Sequence, residues 1–543
     1  MAFATLAPEV LHEMERSLAL MRPFGDGDYI NGCTLGRYER QLAMLAPDVP
    51  AATAVLEALR AADPVGRTRT IGDPVFRSAV HKLLGHHRLH LPQPDAAECA
   101  DLLRRTALLL AAPERSPLAE GVVALDRLGA AAHHGWIWRE EREEDAFAHH
   151  FRALLHERVP HLIPATPDAR ILDNLVRGAE LLETLVPDLA RSTLAHVQVV
   201  VVADVPARRP LMPGEEPAFT SLTNPFILGT IFLAPNVLRN PWSAAEFLLH
   251  EGLHQKFMDL EHTHSMLRKG YSVDESPVIN PPWHRVQLSG ASQWHVNRSI
   301  SVTHVYTALA LFFARARERA AELAPRFGPV DSAELELSLR QSFDRATYLG
   351  EKLMGARDEL GVAGQRFLDW LNGLLRTFDP APPPGGGYVH LLLDLYDREA
   401  REFATRLAHL SPADLEKPVA PVPGASEAST VPALVAHLEA VETARAREVM
   451  AALGRTMPGG FDAPPPAASA PLAERPSDVA ARFSGVRQRV SNVLREVPWA
   501  EYQVAREGST PRPDEAVREL LGYSDRYLGR LLKHMTASFH AAA

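Results

Sequence analysis

The chain has 543 residues, a hydrophobic fraction of 46%, a charged fraction of 23% and a formal net charge of −10. That length calls for two or three domains rather than one core, and the acidic balance, with no basic run, argues against a nucleic-acid partner. Two cysteines, Cys33 and Cys99, are too few for a disulfide framework. With neither a basic-then-apolar leader at the start nor a long apolar span, the sequence reads as cytoplasmic and without membrane contact.

Residues 1–190 read as a helical region. Ala51–Ala62, Ala97–Leu110, Ala119–Ala132 and Ile171–Leu185 are rich in Ala, Leu, Glu and Arg with helical periodicity. The charged run Trp138–Asp145 reads as a solvated helix face, and the pairs His86-His87 and His149-His150 as surface residues. The pattern changes near Thr193. Val197–Ala203 is a β-branched run, followed by two further candidate strands, Ala218–Thr223 and Leu228–Ala234. The fold class that follows is mainly α with a small β-sheet: an α+β metal-binding core preceded and followed by helical regions.

The third candidate strand leads into Ser243–Ser265, which contains His250-Glu251-Gly252-Leu253-His254. On a helix, residues four apart lie one turn above each other, so the two imidazoles can share a metal ion. Glu251 then lies within reach of a water or substrate on that ion. Asn240-Pro241 offers an N-cap with proline at the first position, and Ser243 to Glu246 a competing capping box. Phe247, Leu248, Leu253, Phe257 and Leu260 supply a buried face. Gly252, a poor helix former, leaves room for a chain or ligand to approach the metal side. The plain alternative is a buried helix with two incidental histidines, but buried polar groups need partners, which a metal supplies.

A third ligand has to come from elsewhere. Phe257 and Leu260 stand where a metzincin extension needs glycine and histidine. Glu275 has the separation of a gluzincin glutamate but sits in a loop, Gly270–Ser292. His262 and His264 lie too far along the helix axis. A long helix from near Trp294 to about Arg317 carries His295 and His304, and His304 lies in the apolar stretch Ile300–Phe313 that must be buried. Zinc would leave one open position for hydrolysis. Iron(II) with three protein ligands leaves room for a keto acid and dioxygen. An arginine for the keto acid's distal carboxylate would favour iron, and Arg298 and Arg285 are the candidates.

Beyond this core, helices continue to about Phe378, and Asp379–Gly387 is a Pro/Gly break. Tyr388–Leu410 reads as one more helix of the central domain. The expected division is a helical N-terminal region (1–190), a HExxH catalytic domain (191–410), a linker (411–429) and a C-terminal helical region (430–543). That last region holds Val431–Leu453, Ser477–Val497 and Pro513–Ser538, with a proline-rich linker at Met457–Pro476.

Phe219–Thr223, Leu228–Leu233 and Glu246–Gln255 resemble the core of the HExxH-motif peptide-modification proteins, as do Pro282-Trp283 followed by Trp294, Arg298 and His304-Val305-Tyr306. Members of that family are iron enzymes that use α-ketoglutarate to hydroxylate β-carbons of peptide residues in the biosynthesis of ribosomally made, modified peptides (RiPPs). The resemblance implies His250, His254 and His304 as iron ligands, with Glu251 behind the metal or acting as acid/base. It therefore implies an Fe(II)/α-ketoglutarate dioxygenase, a peptide β-hydroxylase. The C-terminal region beyond about Ser411 lies outside the resemblance, and could bind a leader peptide, a carrier protein or nothing. Two other readings stay open: a zinc metallopeptidase with Glu251 as general base, and a non-enzymatic helical protein that binds a partner.

Overall fold

The computed structural model describes residues 6–89, 95–110, 123–124, 135–138, 146–205, 219–281, 283, 294–378, 388–419, 430–458, 475–497, 501–502 and 513–542. Over these residues the protein is mainly α-helical with a small mixed sheet. Among the described residues, no helix is long and apolar enough to cross a membrane.

Among the described residues six short strands make the sheet: β1 (Val123–Ala124), β2 (Trp136–Ile137), β3 (Ile163–Pro164), β4 (Val199–Asp204), β5 (Ser221–Thr223) and β6 (Thr230–Leu233). Their order is β1-β2-β4-β6-β5, with β3 paired to β4. β4 runs parallel to both β2 and β6, while β5 is antiparallel to β6 and closes one edge. The valine run of β4 is buried on both faces, as strands in the middle of a covered sheet are. Alternation along the strand divides it between two cores. Val200 and Val202 join the core around the HExxH helix. Val199, Val201 and Ala203 join the core of the preceding helices.

The three strands expected from sequence are thus β4, β5 and β6. β1, β2 and β3 fall where helix was expected. Val123–Ala124, inside the expected helix Ala119–Ala132, is strand, and the rest of that segment lies outside the described residues. Trp138 does not belong to a solvated helix face: it continues β2, its N–H donating to the Val200 carbonyl at 2.9 Å, and packs on Phe151 with 4.8 Å between rings. Residues 139–145 lie outside the described residues.

The HExxH helix runs Pro241–Thr263. Its cap is Asn240, whose side chain accepts from the Ser243 N–H at 2.9 Å, so the asparagine wins over the Ser243 box. The long helix behind it runs Val296–Phe327. Trp242, at the start of the first helix, donates to the carbonyl of Gly328, beyond the end of the second. Tyr271, just past the first helix, reaches Asn297 at the start of the second. The two therefore pack antiparallel. An antiparallel bridge between Ile279 and Trp294 pins the entry to the long helix.

Helix Tyr388–Ala408 packs chiefly with the C-terminal helices, Val431–Ala452, Pro476–Arg495 and Pro513–Ala542. Ala400, Phe403 and Leu407 share a core with Leu434, Phe483 and Leu531. Val389, Leu393 and Tyr396 share another with Val449, Leu494 and Leu520. Leu391 alone of these apolar side chains joins the central core. The expected division at residue 410 runs through this packing.

Candidate functional site

The back of the HExxH helix is fastened to the rest of the protein by polar groups. Gln255 accepts from the Gly229 N–H at 2.8 Å and donates to the Thr230 carbonyl at 2.7 Å, tying the helix to the start of β6. Lys256, fully buried, donates to the Gly25 carbonyl and the Ser192 hydroxyl at 2.6 and 2.8 Å. Asp259 pairs with Arg77 and His196, both at 2.7 Å. Burial alone would raise the Asp259 carboxyl; the Arg77 charge and the His196 hydrogen bond outweigh it and hold the group well below the usual range. Gly252 belongs to this side too. A Cβ there would stand 2.8 Å from the Thr193 methyl, so the glycine serves close packing and not, as expected from sequence, an approach to the metal side.

The front of the helix is different. Its partly exposed residues recur at Phe247, His250, His254, Met258 and Glu261, one stripe at helical spacing. They line a cavity of about 630 Å3, closed by Ser221 and Thr223 of β5 on one side and by Arg298, Ser301 and Tyr306 of the long helix on the other.

His250 and His254 face each other with 5.2 Å between ring centroids. His254 Nδ1 shares a 2.8 Å hydrogen bond with the Ser301 hydroxyl, which leaves Nε2 as the ring's other nitrogen. Burial, and then the Arg345 charge, lowers His250 to about 4. Burial, with His250, His304 and Arg298 nearby, puts His254 well below the usual value. Both imidazoles are neutral at physiological pH, the form that binds a metal. Glu251 is 3% exposed, with its carboxylate 3.8 Å from His250 Nε2. Burial raises it to about 7, against the hydrogen bonds that Ser221 and Thr223 give it. Arg298 stacks over Trp294, its guanidinium 4.6 Å from the ring centre, and burial lowers it. Among the described residues no carboxylate pairs with it.

Of the residues singled out from sequence, the fold brings together His250, Glu251, His254 and Arg298. It does not bring His304 to the cavity. That ring is fully buried, 5.2 Å from Phe367 and 6.3 Å from Trp370, with both nitrogens lacking a hydrogen-bond partner. His295 caps the long helix without a side-chain bond, and Glu275 is exposed in a short 3-10 turn. Arg285 lies outside the described residues.

No family model matches the chain, and no curated protein does.

Among the described residues no three His, Cys, Asp or Glu side chains converge as a metal-binding group. The donors present fit a metal at two histidines and not an assembled three-histidine triad. His304 keeps two nitrogens without a hydrogen-bond partner; among the described residues, His196 Nε2 and His295 Nδ1 also lack one.

Several lining residues escaped the sequence reading. Ser221, Thr223 and Tyr306 entered only as strand, helix and parts of the family resemblance, and Ser301 only as helix; none was singled out for the site. Glu261 did carry a signal, since it stands seven residues past His254 on the same helical stripe. His150 was placed on the surface. It is 2% exposed and bonds Glu98 at 3.0 Å, while His149 is exposed. Neighbours on a helix point about 100° apart, so one of such a pair turns inward. The side chains of His86 and His87 lie outside the described residues.

Proposed function

We propose that this cavity is the active site of an Fe(II)/α-ketoglutarate-dependent oxygenase acting on the β-carbon of a residue in a peptide or peptide-like substrate. The observation that carries the reading is the placing of two neutral histidines and a stacked arginine, which pairs with no carboxylate among the described residues, around one cavity. A bound iron(II) would supply oxygen activation coupled to oxidative decarboxylation of the keto acid. His250 and His254 would hold it. Arg298 would take a carboxylate of the keto acid, since an arginine that sheds water without gaining an acidic partner is poised for an anionic ligand. Glu251, held by two hydroxyls, would orient groups beside the metal.

Support for a peptide comes from β5. Thr220, Ser221, Leu222 and Thr223 all line the cavity, and the strand pairs with β6 on one side only among the described residues. A free strand edge can add an extended peptide by main-chain hydrogen bonds. The resemblance to the HExxH peptide-modification proteins points the same way.

One observation favours a second reading, a zinc metallopeptidase. Glu251 stands beside His250 with its carboxyl raised to about 7, where a general base would stand. The two readings separate in one experiment. Purified protein given iron(II), α-ketoglutarate and oxygen is expected to form succinate, and to lose both metal and turnover in His250→Ala and His254→Ala. Peptide cleavage with zinc and without keto acid would overturn the oxygenase reading. In the same series, loss of iron from His304→Phe identifies His304 as the third ligand, and retention confines binding to the pair.

A further inference from the structure

Glu261 differs from every other acidic residue of the HExxH helix. Asp259, two residues earlier, is enclosed by Arg77 and His196. Glu251 is held by Ser221 and Thr223. Glu246 lies under the influence of Arg345 and Arg239. Glu261 lines the cavity, is partly buried, and among the described residues has neither a hydrogen-bond partner nor a cation beside it. Burial alone raises its carboxyl to about 7, with no neighbouring charge to oppose it. Arg298, which lines the same cavity, affects His254 but not Glu261.

Its distance from the histidines rules out a share in the same metal. Seven helical residues past His254 put its Cα about 10.5 Å further along the axis. An extended peptide rises about 3.3 Å per residue, so that separation corresponds to about three residues of a strand laid along the groove.

We infer that Glu261 is a specificity residue that accepts a cationic group of the peptide, about three residues from the one presented to His250 and His254. The inference rests on reading the cavity as the peptide site. A lysine or arginine side chain and a free N-terminal amine share this chemistry, and the test distinguishes them. An ammonium or guanidinium reaching Glu261 meets a carboxylate already stripped of much of its water, where a charge-assisted hydrogen bond gains most.

The test measures binding of short synthetic peptides to the full chain by calorimetry. One peptide is N-acetylated and C-amidated and carries a single lysine; a second has norleucine in its place; a third has glutamate; a fourth is the norleucine peptide with a free amine. The lysine peptide is expected to bind at least tenfold more tightly than the norleucine peptide. That ratio should vanish in Glu261→Gln and turn toward the glutamate peptide in Glu261→Lys, with circular dichroism confirming that both variants fold. A preference for the free-amine peptide alone would support the site and assign the cation to the chain terminus. Equal affinities for the lysine, norleucine and free-amine peptides, or no binding by any of them, would overturn the inference, as would a cation preference that survives in Glu261→Gln. Succinate formation by the wild-type protein without peptide reads the oxygenase proposal separately. Binding that depends on Glu261 without succinate sinks the oxygenase and leaves the cation site standing; succinate without cation preference does the reverse.

Discussion

Two sets of buried polar groups, one among the C-terminal helices and one on the cavity wall, are built on opposite rules. In the C-terminal set, Arg487 and Glu442 are both fully buried and pair at 2.6 Å. Glu442 also accepts from Tyr396 and Ser524 at 2.7 and 2.6 Å, while Arg487 donates to the Tyr396 carbonyl at 3.0 Å and lies 4.0 Å over the Tyr396 ring. This set of groups is closed on itself. On the cavity wall, His250, Arg298 and Glu261 face space, and His254 spends only one of its two nitrogens on a protein partner. Satisfied buried polar groups fix a fold; lining groups without partners are free to meet a ligand.

The largest expected effect tests the closed set. Arg487→Leu strands the Glu442 carboxylate at zero exposure and should destabilise the protein by about 3–5 kcal/mol in urea unfolding. Adding Glu442→Leu should recover part of that loss, because an apolar pair no longer buries a lone charge. Asp259→Ala belongs to the same class, since it strands Arg77 and His196 behind the HExxH helix. By contrast, His254→Ala should change stability by no more than about 1–2 kcal/mol while removing metal binding. Equal losses in His254→Ala and Asp259→Ala would erase the distinction, because the cavity histidine would then be scaffold.

Gly252→Ala gives a smaller effect on the same contrast. The added methyl meets Thr193, on the back of the helix, so a loss of about 1–3 kcal/mol is expected through overpacking. Metal affinity of the folded variant should stay unchanged. A variant with wild-type stability and weakened metal binding would return the glycine to the metal side.

What the sequence made legible follows from how local each feature is. The pentad His250–His254 needs only helical spacing to place two imidazoles together, and the asparagine cap and flanking apolar residues are local as well. The valine run of β4 is long enough to show itself, whereas β1, β2 and β3 have two residues each, too few for a period. Whether His304 reaches the cavity was not legible, because that depends on the rotation of one helix against another. On the long helix, Ser301 and not His304 meets His254, a difference of three residues that turns the histidine toward Phe367. Packing on Thr193, in the helix Pro187–Leu194 that precedes β4, likewise set the role of Gly252 from outside its own helix.

The smallest expected effect concerns pH and tests whether Glu261 is open in the sense the comparison requires. Its carboxyl is raised in the folded protein from the ordinary 4.5 to about 7 by burial. Between those values the folded state holds a proton that the unfolded chain has released, so this contribution is full below 4.5 and is lost as pH rises through about 7. Glu261→Gln removes the titration. Relative to wild type, the variant should therefore gain about 1–2 kcal/mol between pH 5 and pH 8, less than the bare shift implies because water reaches the cavity face. Urea midpoints of both proteins at the two pH values measure it. A lysine peptide that fills the site should flatten the difference at pH 8, because a bound cation stabilises the ionised carboxylate that burial opposes. Were the variant and the wild type to keep the same difference at both pH values, Glu261 would be solvated or paired, and the cation site would lose its basis.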